Sequence, residues 1–192
     1  MGPEALARAF DRGACASSDF DLHPGTVLPE GRVLRPAGVL VGVLDGRVIL
    51  TKRASHLKHH GGQVAFPGGK VDPGDTGPEA AALREAHEEI GLDPGLVQVL
   101  GHLPLHETVT GFQVTPVLAH VRGPFLQVPQ AGEVDEVFMV PLSYLADPTN
   151  YRIEGRNWRG TWRRYYAVPY GPYYIWGATA RILRGLAERL SP

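Results

Sequence analysis

The chain has 192 residues, of which 43% are hydrophobic and 20% are charged; this composition is that of a globular protein and excludes a coiled coil, a collagen-like chain and an extended disordered chain. The 19 basic and 20 acidic residues leave a formal charge of −1, so no overall electric field favours nucleic acid or a membrane surface as a partner. The single cysteine, Cys15, excludes an intrachain disulfide, and no segment approaches the roughly 20 apolar residues of a membrane span. We therefore expect a cytoplasmic protein with one domain over residues 1–192, its core at about 36–190 and an N-terminal extension at 1–35.

The first half of the chain predicts a short helix and a β-hairpin. The helix is expected over Pro3–Phe10. Two β-rich runs, Gly38–Leu44 and Arg47–Lys52, are joined by Asp45-Gly46, and this dipeptide favours a hairpin with a type I′ turn. A polar, histidine-rich loop follows the hairpin, and then a short strand over Gln63–Phe66.

A second helix is predicted to start near Thr76. Thr76 and Glu79 stand three positions apart, which is the spacing of a capping box, and Gly91 fits the left-handed position after a last helical turn. Beyond this helix the apolar patterns predict four strands and a closing helix, in chain order Leu96–Leu105, Phe112–Val121, Glu136–Leu142, Thr161–Val168 and Ile175–Leu190.

Three glutamates of the second helix, Glu85, Glu88 and Glu89, fall within an arc of about 100°. Leu83 and Ile90 lie opposite them, so the apolar face should pack on a sheet while the acidic face points outward. Carboxylates this close repel each other unless a cation neutralises them. Mg²⁺ or Mn²⁺ suits oxygen ligands, bridges to phosphates and activates water, while one carboxylate can act as general base. A solvated acidic face is the alternative interpretation.

The loop before this helix, PGGKVDPGD at Pro67–Asp75, contains glycines that permit close approach of the backbone to a ligand. Together with the helix it resembles the Nudix box, Gx5Ex7REUxEExGU with U an aliphatic residue, and Arg84–Leu92 fills the second half in full. The loop departs from the pattern at Asp75, which replaces a glutamate and is separated from Arg84 by eight residues rather than seven.

The resemblance implies an α/β (α+β) Nudix fold in which a mixed β-sheet is sandwiched between helices. It implies Glu85 and Glu89 as the principal ligands of Mg²⁺ or Mn²⁺, and Glu88 as a further ligand or a base acting through water. It also implies the Gly69 carbonyl as an additional ligand and Arg84 as the residue that orients the carboxylates.

The base or an extra metal ligand of such enzymes often comes from another loop, and four carboxylates are candidates for it: Glu107, Glu133, Asp135 and Glu136. Glu133 is favoured because it lies in the loop before a predicted strand. A solvated loop glutamate is the alternative.

A second motif, at Ile49–Gly69, resembles the signature of the coenzyme A pyrophosphatase branch, LLTxRxxxLRxHxGxxxFPGG, with Lys58 at a position where arginine is usual. The match covers Leu50, Thr51, Arg53, Leu57, His60, Gly62, Phe66, Pro67, Gly68 and Gly69. Coenzyme A carries a 3′-phosphate besides its diphosphate, and basic side chains could bind these charges. The candidate substrate-binding residues are therefore Lys52, Arg53, Lys58, Lys70, Gly68 and Gly69.

The function implied is hydrolysis of coenzyme A, and of its thioesters, to 3′,5′-ADP and 4′-phosphopantetheine, with a small molecule and neither nucleic acid nor a membrane as partner. One alternative is a pyrophosphatase for ADP-ribose or a dinucleoside polyphosphate. An alternative of another class is a non-catalytic nucleotide sensor, although such a module would usually have lost acidic residues of the box, and all three glutamates remain here.

Overall fold

A computed structural model describes residues 2–11, 13, 15–58, 60–158 and 160–190. The strands are β1 (Ser17–Ser18), β2 (Arg35–Leu44), β3 (Arg47–Arg53), β4 (Val64–Ala65), β5 (Gly68–Lys70), β6 (Val97–His102), β7 (His106–Glu107), β8 (Phe112–Val121), β9 (Val134–Pro141), β10 (Arg152–Trp158), β11 (Thr161–Tyr170) and β12 (Tyr173–Trp176). The α-helices are α1 (Pro3–Ala7), α2 (Pro78–Ile90), α3 (Leu142–Leu145) and α4 (Ala178–Leu190).

The first nine strands form one mixed sheet. At its centre β2 runs parallel to β8 and antiparallel to β3 and β5, while β9 pairs antiparallel with β3. The last three strands form a separate antiparallel sheet in the order β10-β11-β12. None of the helices within the described ranges is long and apolar enough to cross a membrane.

Apolar side chains alternate between the two faces of the large sheet and create a core on each side. Leu40 and Ile49 pack with Ile90 of α2 on one face. Val41 and Leu50 pack on the other face with residues of α4 and of the three-stranded sheet. The predicted mixed sheet between helices is therefore confirmed.

The hairpin between β2 and β3 confirms the expectation from Asp45-Gly46. Both turn residues have positive φ, 48° for Asp45 and 72° for Gly46, as a type I′ turn requires. The end of α2 is confirmed as well, because Gly91 is left-handed with φ 72° and its N–H donates to the carbonyl of His87 at 3.0 Å.

The predicted capping box at the start of α2 is wrong. The helix begins at Pro78 after an N-cap at Gly77, and no side chain caps it. A cap at Thr76 would require the helix to begin at Gly77, one residue earlier than it does. Glu79 is therefore too close to the helix start to accept the N–H of the N-cap residue, and its carboxylate instead lies 2.7 Å from Nε2 of His102.

The closing helix is shorter than predicted. Ile175 belongs to β12, and α4 begins only after Gly177, whose positive φ of 65° separates the strand from the helix. The predicted strand at Leu96–Leu105 also ends early, at His102, shortly before Pro104, which has no N–H to donate to a neighbouring strand.

Candidate metal and phosphate site

The site is built where α2 lies across β2 and β5. A Cβ atom on Gly38 of β2 would lie 1.8 Å from the carbonyl oxygen of Pro78, so only glycine lets the helix approach the sheet this closely. On β5, a Cβ atom on Gly69 would lie 2.4 Å from Oε1 of Glu85. The glycine-rich loop therefore runs directly against the carboxylates of the helix. Sequence reasoning missed Gly38, although an isolated glycine in a strand is a known signal of close approach.

Glu89 is buried, with an exposed fraction of 3%, so the expectation that the whole acidic face points outward is wrong. Its Oε2 accepts the N–H of Gly68 at 3.1 Å, and its Oε1 lies 3.7 Å from Nη1 of Arg53. Burial, together with the charges of Glu85 and Glu133, raises the pKa of Glu89 to about 7, although the Gly68 N–H and the charge of Arg53 act to lower it. The helix face is closed over by β5, and sequence periodicity cannot show this.

Glu85 and Glu88 lie further toward solvent than Glu89. The Glu85 side chain is 17% exposed and that of Glu88 is 51% exposed. Burial raises the pKa of Glu85, while the neighbouring Arg84 guanidinium opposes this rise. The three glutamates thus form a gradient from a buried to an exposed carboxylate along one helix face.

Arg84 holds the loop and the helix together. Its Nε and Nη2 donate to the two carboxylate oxygens of Asp75 at 3.0 and 2.9 Å. Its Nη1 donates to Glu85 at 3.1 Å and to Glu88 at 3.3 Å, and its Nη2 donates to the Lys70 carbonyl at 3.3 Å. The hydrogen bonds from Arg84 lower the pKa of Asp75 to about 2. Compared with the Nudix box pattern, this loop is one residue longer and its carboxylate, Asp75, is one methylene shorter than glutamate. Asp75 nevertheless accepts hydrogen bonds from Arg84 with both carboxylate oxygens.

A second loop, before β9, places Glu133 beside the helix. The Gln130 N–H donates to the Glu89 carbonyl at 2.9 Å, and the Ala54 N–H donates to the Glu133 carbonyl at 2.8 Å. The charge of Glu133 contributes to the raised pKa values of both Glu85 and Glu89. The backbone of Glu133 is thus held at the end of β3, and Gln130 connects the same loop to the helix.

The other three candidate carboxylates are engaged elsewhere. Glu107 pairs with Arg32, and Glu136 accepts a hydrogen bond from the hydroxyl of Tyr173. Asp135 accepts both the N–H and the hydroxyl of Ser55, at 2.9 and 2.7 Å. These contacts leave Glu133 as the loop carboxylate that acts electrostatically on the helix glutamates.

The basic candidates separate into different positions. Arg53 reaches Glu89. Lys52, the preceding residue of β3, points to the opposite face because side chains alternate along a strand, and it lies across from Glu136 in the register. Lys70 lies on β5 with its Nζ 3.0 Å from Oδ1 of Asp72, and Lys58 is exposed in the loop after β3. The structure therefore brings Arg53 to the glutamates and leaves Lys70 at the rim of the site. Lys52 points away from the site, and Lys58 makes none of the contacts described for the glutamates.

The oxygen ligands of the three helix glutamates fit a hard divalent cation by their chemistry. Among the described residues, however, no three Asp, Glu, His or Cys side chains are arranged closely enough to hold a metal ion as they stand. The carboxylates of Glu85, Glu88 and Glu89 supply oxygen ligands of the type that Mg²⁺ and Mn²⁺ prefer. Burial and the charges of neighbouring carboxylates raise the pKa values of Glu85 and Glu89, and a cation bound beside these carboxylates would relieve the repulsion.

Comparison with known proteins gives a family match and close relatives. Residues 34–159 match the family model described as NUDIX domain. The Nudix hydrolase NudL of Enterobacter sp. (strain 638), described as uncharacterized, is 44% identical over 159 residues, which are 81% of this chain and 83% of the relative. The protein of the same name from Salmonella heidelberg (strain SL476) is 44% identical over 176 residues, which are 90% of this chain and 92% of the relative.

Solved structures are similar to parts of the chain. A Nudix hydrolase from M. smegmatis, RenU, is 29% identical and covers 70% of this chain and 83% of its own, with a TM-score of 0.46. A C. elegans Ap4A hydrolase in a binary complex is 21% identical and covers 56% of this chain and 80% of its own, with a TM-score of 0.48.

Proposed function

The chain belongs to the Nudix hydrolase family and acts on pyrophosphate bonds, and from this premise we propose that its substrate is coenzyme A, cleaved at the diphosphate to 3′,5′-ADP and 4′-phosphopantetheine. The observation that carries this proposal is the position of the upstream motif. Arg53, from the segment that resembles the coenzyme A pyrophosphatase signature, lies 3.7 Å from the buried Glu89, and Gly68 at the end of the same segment donates to that carboxylate.

Glu85 and Glu89 would hold Mg²⁺ or Mn²⁺, with Glu88 and the Gly69 carbonyl as further ligands. The cation, when bound, would polarise the phosphoryl oxygens and lower the pKa of water. Arg84 orients the carboxylates, because it donates hydrogen bonds to Glu85 and Glu88 while Asp75 of the loop holds its guanidinium in place by accepting another.

Glu133 is proposed as the general base. It lies in the loop before β9, beside the helix, so it could accept a proton from a water held between the loop and the helix carboxylates. The water oxygen bonds to phosphorus as the bond to the bridging oxygen breaks, and the bridging oxygen leaves on the other phosphate. Arg53 would offset the charge of the diphosphate beside the acidic cluster, and Gly68 and Gly69 would let the backbone approach it.

Recognition of the 3′-phosphate is assigned to the rim. Lys58 is exposed in the loop after β3, and Lys70 follows Gly69 on β5. Because Lys52 points to the other face of β3, it is the weakest of the basic candidates. An enzyme for ADP-ribose would use the same carboxylates without this rim, and a nucleotide sensor would bind without turnover.

The test is hydrolysis of coenzyme A beside dephospho-coenzyme A and ADP-ribose, each with Mg²⁺, Mn²⁺ or EDTA, with products separated by chromatography. We expect metal-dependent release of 3′,5′-ADP, favoured over cleavage of the other two substrates. Lys58→Ala should weaken the preference for coenzyme A over dephospho-coenzyme A while leaving cleavage of the latter intact. Cleavage of ADP-ribose alone would refute the substrate and keep the mechanism, and no cleavage at all would favour the sensor.

A further inference from the structure

Strand β10 is the free edge of the three-stranded sheet. In the order β10-β11-β12, the part of the chain that the structure describes gives β10 a single strand neighbour, β11. Apolar side chains are exposed along this edge: Ile153 on β10 is 46% exposed and Trp162 on β11 is 63% exposed. An exposed strand edge with adjacent apolar groups is a template for pairing with another strand.

The direction of the unused hydrogen-bonding groups follows from Arg164. Gly155 stands opposite Arg164 in the register of β10 and β11, but the Arg164 N–H donates to Nε2 of His23 at 2.9 Å, on the far side of β11. Gly155 and Arg164 therefore form a non-hydrogen-bonded pair. It follows that the N–H and C=O groups of Gly155, and of Ile153 and Asn157 two residues to either side, point outward from the free edge.

We propose that this edge is a homodimer interface in which β10 pairs antiparallel with β10 of a second copy, with the twofold axis at Gly155. This register pairs all seven residues of the strand. Ile153 lies opposite Asn157 of the second copy and Gly155 lies opposite its own copy, so the three outward-pointing residues of each chain use their N–H and C=O groups fully. The pairing is closed and isologous.

The charges of β10 complement themselves in this register. Glu154 lies opposite Arg156 of the second copy, and by symmetry the same pair forms twice. Both side chains share the face of β11 that carries Tyr165: Glu154 accepts the hydroxyl of Tyr174 at 2.5 Å, and Arg156 stacks on the ring of Trp176 at 4.2 Å. Two opposite-charge pairs directly across a strand junction favour association. A register centred on Glu154 would instead place like charges together.

The opposite face of the junction carries Ile153, Gly155 and Asn157, and Trp162 of β11 packs against the glycine. A Cβ atom on Gly155 would lie 2.8 Å from Nε1 of Trp162, so the indole ring lies flat on the backbone of Gly155. At the twofold axis the two indole rings would cover the two central glycines and shield each other from water. A buried tryptophan at the centre of a patch is a common anchor of interfaces.

The test is sedimentation velocity of the full chain over a series of concentrations. The wild type should form a dimer. Glu154→Arg and Arg156→Glu should each weaken association by at least about tenfold, because each turns two favourable cross-strand pairs into repulsive ones. The double variant Glu154→Arg/Arg156→Glu restores both pairs and should restore the dimer, although the contacts of Glu154 with Tyr174 and of Arg156 with Trp176 are lost. Glu30→Arg, the same charge change at an exposed residue outside the strand, is the matched control.

The rescue by the double variant separates the interface from a loss of folding, which circular dichroism of each variant also checks. A wild type that stays monomeric at every concentration would refute the proposal and leave the charges of β10 as protection of a free edge. A dimer that Glu154→Arg leaves unchanged would also refute it, since another surface would then hold the two copies together. The result does not depend on the substrate.

Discussion

Replacement of Glu89 by glutamine tests both the electrostatics and the role of the buried carboxylate. Glu89 is 3% exposed and has a pKa of about 7 against an ordinary value of 4.5. Because the folded pKa is raised, the unfolded chain releases this proton at lower pH than the folded protein does. The stability of the metal-free protein should therefore fall as the pH rises from about 4.5 and level off above about 7.

The magnitude follows from the two pKa values. At about 1.4 kcal/mol for each pH unit between them, ionisation of Glu89 costs the metal-free fold roughly 3 kcal/mol above neutral pH, as an upper limit. Glutamine keeps the side-chain volume and an oxygen that can accept the Gly68 N–H. Glu89→Gln should therefore raise the free energy of unfolding by about 1–3 kcal/mol at alkaline pH and change it little near pH 5.

The assay is urea unfolding of wild type and variant in EDTA at the two pH values. Hydrolysis with Mg²⁺ should in contrast fall by at least about a hundredfold, because the variant loses a charged ligand of the cation. Glu88→Gln, at a side chain that is 51% exposed, is the control and should leave stability nearly unchanged. A Glu89→Gln protein less stable than wild type at alkaline pH would refute the electrostatic reasoning, and wild-type turnover would refute the metal assignment.

Three further substitutions test how the site is held. Asp75→Asn removes a carboxylate whose pKa is lowered to about 2. The stability that this carboxylate gives is present above about pH 4 and is lost as the pH falls toward 2. Acid titration followed by fluorescence should therefore show a smaller loss of stability for the variant than for the wild type. Gly69→Ala places a Cβ atom 2.4 Å from Glu85 Oε1 and should weaken Mn²⁺ binding, measured by calorimetry, while the fold stays intact. Gly74→Ala, with open space around it, is the control and should leave Mn²⁺ binding unchanged. Equal Mn²⁺ affinities of the two variants would contradict the close approach of Gly69 to Glu85. Gly38→Ala forces α2 off the sheet and should cost about 1–3 kcal/mol or more in thermal unfolding, and an unchanged melting temperature would contradict it.

Local patterns predicted the elements that carry the chemistry. The hairpin turn at Asp45-Gly46 and the end of α2 at Gly91 depend on backbone conformations that few residues adopt, so the residue types alone identify them. The shared helix face of the three glutamates has a different basis, because the regular period of an α-helix fixes their relative directions.

What the sequence could not predict depends on contacts between distant residues. The burial of Glu89 arises because β5 and the loop before β9 close over α2, which no helical periodicity reveals. The role of Asp75 depends on a bidentate contact with Arg84, nine residues away. Strand β10 was missed because an edge strand with one exposed face carries few apolar residues, and Ile175 was assigned to a helix because its apolar spacing suits either structure.

The close contact between Gly38 and α2 has a consequence for how this enzyme can evolve. The position of the catalytic helix is set by main-chain atoms touching main-chain atoms, so it does not depend on the identity of any side chain that selects a substrate. Exchanges of side chains in the loop after β3 can therefore change the accepted nucleotide while the carboxylates of the helix stay in place. Mutational scanning should find Gly38 as intolerant as the glutamates themselves, although it never touches the substrate.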